Sequence, residues 1–165
     1  MKRIYRLLIC LMLLVAVFAL SSCDDKPQAK QLTDLSLPNL KANQMAVIIK
    51  NGDKNYTSYA VVLGESGVNA QTCEDVLEYL KDEAGLLLGW DDSGYGKFIT
   101  AIGGINPDPS CEYVEVFTSN ADFQGTWAGV EIREADGVTL MSAAVGVSEL
   151  LVAAGDVVYF ELGSF

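Results

Sequence analysis

No histidine occurs among the 165 residues, and Lys and Arg number 11 against 22 Asp and Glu, a formal charge of −11 at pH 7. Without an imidazole, Ser-His-Asp and Cys-His catalytic arrangements and His-ligated zinc or haem sites are excluded. The shortage of positive charge argues against nucleic acid as a partner, because phosphate backbones are held by clustered Lys and Arg. A phosphate-cradling Gly-rich loop, a nucleophile elbow and a Cys-rich metal cluster are also missing. With 22 carboxylates, chance pairs identify no hydrolase. The sequence therefore predicts neither an enzyme nor a resident cofactor or metal. What is present is apolar content, 50% of the chain, enough for one core in one domain.

No apolar run reaches the ~20 residues of a membrane-spanning helix. The longest, Leu7–Leu20, follows Lys2, Arg3 and Arg6 and reads as a secretory signal peptide. It ends in Leu20-Ser21-Ser22-Cys23, which resembles the bacterial lipobox. Residues 1–22 are then a lipoprotein signal peptide, and the Cys23 thiol is the nucleophile that receives diacylglycerol. The alternative is a plain secreted protein cut near Ser22 with an incidental cysteine. Cleavage removes Lys2, Arg3 and Arg6 and leaves a mature chain more acidic still, so attachment to a cell or outer membrane depends on the lipid.

Residues 23–41 are polar, contain Pro27 and Pro38 and show no sustained apolar period, which predicts a flexible tether. The alternative is that Leu35, Leu37 and Leu40 dock onto the domain. Residues 42–165 form that domain. Met45–Lys50 and Ser58–Leu63, joined through Asn51-Gly52, predict a β-hairpin. Thr72 as N-cap with Asp75 three residues on predicts a helix with Val76, Leu77, Leu80 and Ala84 on its buried face, ended by Gly85. Glu74, Glu78, Lys81 and Asp82 fall on its solvated side. Phe98–Ile102, Tyr113–Ser119, Val130–Glu134 and Val157–Leu162 predict further strands. One principal helix packed on a mixed sheet is an α+β domain, here of β-grasp type.

Three segments in this order resemble the C-terminal β-domain of the transcobalamin and intrinsic-factor family. They are the helix Thr72–Leu80, the aromatic-Gly turn and strand Gly94–Ile105, and the Gly-Asp-aliphatic strand Gly155–Phe160. The resemblance implies a ligand-holding module, with cobalamin or another corrinoid-sized molecule as ligand. It places a ligand-facing aromatic at Tyr95, between Gly94 and Gly96. A family strand that carries Tyr-Trp reads Tyr113-Val114 here, without the indole.

The residues themselves single out two aromatic, Gly-rich loops. One carries Trp90, Tyr95 and Phe98 among Asp91, Asp92, Gly94 and Gly96; the other carries Phe123 and Trp127 between Asn120 and Gly129. Either these aromatics face a ligand, as loop residues on a rigid scaffold often do, or Trp90 and Phe98 plug the core. Were the two loops at one end of the sheet, they would form a single groove. Cys73 and Cys111 are a disulfide candidate in an exported chain; a reactive Cys73 and two reduced thiols are the alternatives. The sequence thus predicts a lipid-anchored extracytoplasmic module for a small ligand. The competing reading is a protein-interaction domain of the cell envelope.

Overall fold

A computed structural model describes residues 29–64, 67–94 and 96–165. The signal peptide, the lipidation candidate Cys23, residues 24–28 of the expected tether and the aromatic Tyr95 lie outside the described residues.

The hairpin forms as expected. β2 (Gln44–Lys50) pairs antiparallel with β3 (Tyr56–Val62), in a register that sets Val47 against Tyr59. The helix α1 (Cys73–Ala84) starts with the full reciprocal cap: Asp75 N donates to Thr72 Oγ1, and Thr72 N donates to the Asp75 carboxylate. It ends at Gly85, whose φ of 68° closes the last turn. Its buried side chains are Cys73, Val76, Leu77 and Leu80. Ala84, expected on that face, is exposed, and Cys73 extends the apolar face at the other end.

Beyond the helix come β4 (Leu88–Ser93), β5 (Gly96–Ile102), β6 (Glu112–Thr118), β7 (Ile132–Ala135), β8 (Val138–Ser142) and β9 (Val157–Ser164). β4 and β5 make a separate antiparallel pair. The large sheet runs β1-β7-β8-β6-β9-β2-β3, where β1 is Ala29–Gln31. β9 lies parallel to β2 and antiparallel to β6, which places the last strand in the interior of the sheet, beside the central β6. With a single α-helix among the described residues, the fold is mixed α+β and mostly sheet.

Both faces of this sheet are covered. On one, α1 and the β4–β5 pair close over Met45, Val47, Ile49, Val158 and Phe160; on the other lie Ala46, Ile48, Phe117, Leu140 and Tyr159. That is why Met45–Ile49 reads as an unbroken apolar run instead of alternating.

The second face corrects the tether expected over residues 23–41. Where described, from Ala29 onward, that segment is part of the fold: β1 pairs parallel with β7, and Leu32 N donates to Glu134 O at 2.8 Å. Leu32 and Leu35 are buried in the second core, and Leu37 and Leu40 pack against it. A sheet with an apolar face opposite its helix needs a cover, and these four leucines provide it.

Candidate functional site

β6 alternates Val114 and Val116 toward the helix side of the sheet with Glu115 and Phe117 toward the other. β8 pairs with β6 only through Phe117 and Thr118, so the edge of β6 from Glu112 to Val116 has no strand beside it. Ser119 N donates across to Val157 O, so by antiparallel alternation the backbone groups of Val114 and Val116 point away from β9, toward this open edge. Ala143 N meets Val116 O there at 2.8 Å. The chain after β6 then loops outward. Asn120 caps a short 3-10 turn at Ala121–Phe123, Gly125 N donates to Ser142 O, and Trp127 stands beyond.

Between that loop and the open edge is a groove of about 280 Å³, lined by Tyr113, Val114, Glu115, Val116, Trp127 and Glu131 among others. Trp127 is 50% exposed. Its ring packs so closely on Gly125 that a Cβ there would sit 2.1 Å from a ring carbon. Tyr113 crosses β9 at Gly163 and meets the ring of Phe165 at 5.0 Å. The groove thus has aromatic walls and an apolar valine edge that no strand covers before Phe117.

Its charged members belong to a network on the second sheet face. Arg133 donates from Nε (2.7 Å) and Nη2 (2.5 Å) to Glu161 Oε1, from Nη2 to Glu131, and from Nη1 to Ile132 O. Glu161 Oε2 accepts from Tyr159 OH at 2.7 Å and pairs with Lys50 at 3.6 Å. Burial pushes the Glu161 carboxyl up, but the hydrogen bonds from Tyr159 and Arg133 outweigh it and hold the group below the usual carboxylate range. Glu115 behaves oppositely: burial, then the Glu131 charge, raise it, and Arg133 offsets only part. Its hydrogen-bond partner is Ser142 Oγ at 3.3 Å.

The residues singled out from sequence divide between two places. Tyr113 and Trp127 come together in the groove, beside Val114, the position where the resembled family carries Trp. Phe123, from the same loop, packs half-buried against the helix-side core instead. Trp90 does so too, and its Nε1 donates to Glu78 Oε1 at 2.8 Å. Phe98, offered as a core plug, is 53% exposed. Gly94 and Gly96 sit at the end of the β4–β5 pair, Gly96 close against Ser148. The described groove lining includes no residue of the Trp90–Phe98 loop, so the two loops do not form one groove there.

Glu74 and Glu78, read from sequence as merely solvated, instead fix the β4–β5 pair to α1. Lys97 Nζ bridges Glu74 at 2.9 Å and Glu78 at 3.0 Å and lies 5.3 Å from the Trp90 ring centre. Ser148 Oγ donates to Glu74 at 2.5 Å and accepts from Lys97 N at 3.2 Å. The hydrogen bond from Ser148 and those from Lys97 hold Glu74 below its ordinary value, and Lys97 does the same for Glu78. The charges of this cluster are paired with one another and its indole N–H and Ser148 hydroxyl are bonded within it, which makes it a structural lock.

The expected Cys73–Cys111 disulfide is not formed: both thiols are free, Cys73 buried in the first turn of α1 and Cys111 exposed before β6. Burial pushes the Cys73 thiol far up, which also removes the reactive-thiol reading. In native protein, a maleimide reagent should label Cys111 rapidly and leave Cys73 untouched until unfolding. Prompt modification of Cys73 at native pH would contradict this placement.

Sequence reasoning missed Glu115, Glu131, Arg133 and Glu161. The alternation in Glu112-Tyr-Val-Glu-Val-Phe was the available signal, since it sets Glu115 on the same face as Phe117. Among the described residues no three Cys, Asp or Glu gather as a metal ion would require. No family model and no curated protein matches the chain. A crystal structure of a "putative metal binding protein" from Ruminococcus gnavus is similar in fold, with 15% identity and a TM-score of 0.50 over 74% of this chain and 98% of that one.

Proposed function

We propose that this chain is a lipid-anchored extracytoplasmic ligand-binding module without enzymatic activity, and that its site is the groove between β6 and the Trp127 loop. The carrying observation is that Tyr113 and Trp127, two aromatics singled out on sequence grounds, line one cleft together with the uncovered edge of β6. Apolar walls with a few convergent polar groups are the usual make-up of a small-molecule site. The β-grasp reading is supported by the topology: a β2–β3 hairpin, a helix over the sheet, and β9 parallel to β2 inside it.

Similarity to the transcobalamin-type β-domain makes a corrinoid the first ligand to test. At about 280 Å³ the groove is near the small end of ligand pockets, ~300–1,000 Å³, so a corrinoid would insert one edge and leave most of its ring outside. The metal binding suggested for the structurally similar protein finds no donor cluster among the described residues here. With Ala29 already in the sheet, only residues 24–28 separate it from Cys23, a reach of at most ~22 Å. A lipid on Cys23 would therefore hold the groove close to the bilayer.

The competing reading, a protein-interaction domain, draws on the outer edge of β3. A cleft of about 430 Å³ lies between it and the end of α1, lined by Tyr59, Ala60, Val62, Tyr79 and Glu83. Calorimetric titration of the full chain in detergent with cobalamin, other corrinoids and a small-molecule panel separates the two. Saturable binding that weakens tenfold or more in Trp127→Ala or Tyr113→Ala supports the groove. Binding indifferent to both substitutions, or no binding by any compound, contradicts it and favours the β3 edge.

A further inference from the structure

The groove's ligand class follows from a charge count around it. Three carboxylates, Glu115, Glu131 and Glu161, meet two nearby cations, Arg133 and Lys50. Those cations are already committed. Arg133 spends Nε and Nη2 on Glu161, Nη2 on Glu131 and Nη1 on a main-chain oxygen, and Lys50 pairs with Glu161. Lys30 acts on Glu161 only at longer range. Glu115 is left with a hydroxyl, Ser142 Oγ at 3.3 Å, and with no cation of its own. It is half-buried and lines the groove beside Trp127, an indole that is 50% exposed.

A carboxylate without a counter-ion beside an exposed indole matches the two needs of an organic ammonium group: charge-assisted hydrogen bonding or ion pairing, and the negative face of an aromatic ring. We propose that the groove selects small organic cations, with Glu115 as the charge partner and Trp127 as the aromatic wall. This rests on the groove being the ligand site. A neutral ligand would leave Glu115 as it is; an ammonium would supply the cation that the network withholds.

The pH dependence has a definite sign. Glu115 must be ionised to hold the cation, and the groups facing it are Glu131 and Arg133 before and within β7, Ser142 on β8 and Glu161 on β9. Burial and the two glutamates favour its protonated form, so affinity should fall on acidification sooner than an ordinary glutamate would dictate.

The test uses matched pairs of equal shape and different charge: choline against 3,3-dimethylbutan-1-ol, and benzylamine against benzyl alcohol. Binding to the full chain in detergent is followed by ligand-observed NMR at pH 7.5 and again near pH 5. The expected result is that each cation binds at least tenfold more tightly than its neutral partner. Glu115→Gln should erase that difference and its pH dependence, and Trp127→Ala should weaken the cations. Because Glu115→Gln removes a half-buried, uncompensated charge, the variant should unfold at the same or a higher temperature, which guards against misfolding as the cause. Glu149→Gln, on a loop outside the groove lining, serves as a control that should change nothing. Equal binding of charged and neutral partners, still sensitive to Trp127→Ala, would overturn charge selection and leave the groove as a ligand site. Cation binding unaffected by both groove variants, or no binding of any of the four compounds, would overturn the proposal.

Discussion

Glu161→Gln should lower stability by about 3–5 kcal/mol, among the largest losses available to a single side chain in this protein. Glu161 is buried at 5% exposure and Arg133 at 6%, so the guanidinium that loses its partner cannot turn to water. It would keep Glu131 and the Ile132 carbonyl, but the amide offers one neutral oxygen in place of two anionic ones, so Arg133 and Tyr159 must compete for it and Lys50 loses its ion pair. Thermal unfolding of the variant should fall on the order of 10 °C. Replacing both partners by apolar groups is a different experiment. Arg133→Met with Glu161→Leu removes the buried charges together and keeps an apolar group near the Phe117 ring, which the guanidinium now covers at 4.6 Å. That pair should recover most of the loss, because the cost lies in stranding a charge and not in lacking one. The pH response follows from the depressed carboxyl. Its stabilisation is complete above the unfolded-state value of ~4.3 and is lost as the pH falls through the lower folded value. Glu161→Gln should therefore flatten the acid limb of the stability profile. A variant within 1 kcal/mol of the parent in urea denaturation would show that water reaches the pair and that the second face is not closed.

Removing the leucines that close that face should cost comparably. Leu32 and Leu35 are 5% and 4% exposed and sit over a patch that includes Ala46, Ile48, Phe117, Leu140 and Tyr159. Leu32→Ala and Leu35→Ala should each destabilise by about 2–5 kcal/mol, the range for buried leucines whose surroundings relax only in part. A chain begun at residue 42 goes further. It deletes β1, the Leu32 N to Glu134 O bond and the Leu37 N to Asp136 bond, and it uncovers the whole second face. Such a chain should show a lower urea midpoint and aggregate, whereas one begun at residue 24 should behave as the parent. Equal midpoints for the two would restore residues 29–41 to the role of a free tether.

What could be read in advance was what short stretches decide by themselves. The β2–β3 hairpin follows from two β-branched runs about an Asn-Gly, and the start of α1 from Thr72 and Asp75, because cap and turn chemistry act over three or four residues. β1 could not be read: it is three residues of Ala-Lys-Gln, stabilised by a strand a hundred positions away. β4 was hidden by its Trp-Asp-Asp, which looks like a turn until β5 pairs with it. Glu74 and Glu78 were misjudged because the helix pattern shows which side faces away from the sheet but not that Lys97, on a later hairpin, covers that side. The site divides in the same way. Tyr113 and Trp127 announced themselves as aromatics near a strand and glycines, but Glu115, Glu131, Arg133 and Glu161 meet only because the sheet runs β7-β8-β6-β9.

The two tryptophans allow the central claim to be read directly. Trp90 is tied to Glu78 at the lock between α1 and the β4–β5 pair, whereas Trp127 borders the groove. Their indole N–H signals, assigned through Trp90→Phe and Trp127→Phe, can be followed by NMR while benzylamine or cobalamin is added to the full chain. A saturable shift of the Trp127 signal with the Trp90 signal unmoved is the predicted result. A ligand that saturates while shifting Trp90 alone, or neither indole, would contradict the placement of the site between β6 and the Trp127 loop.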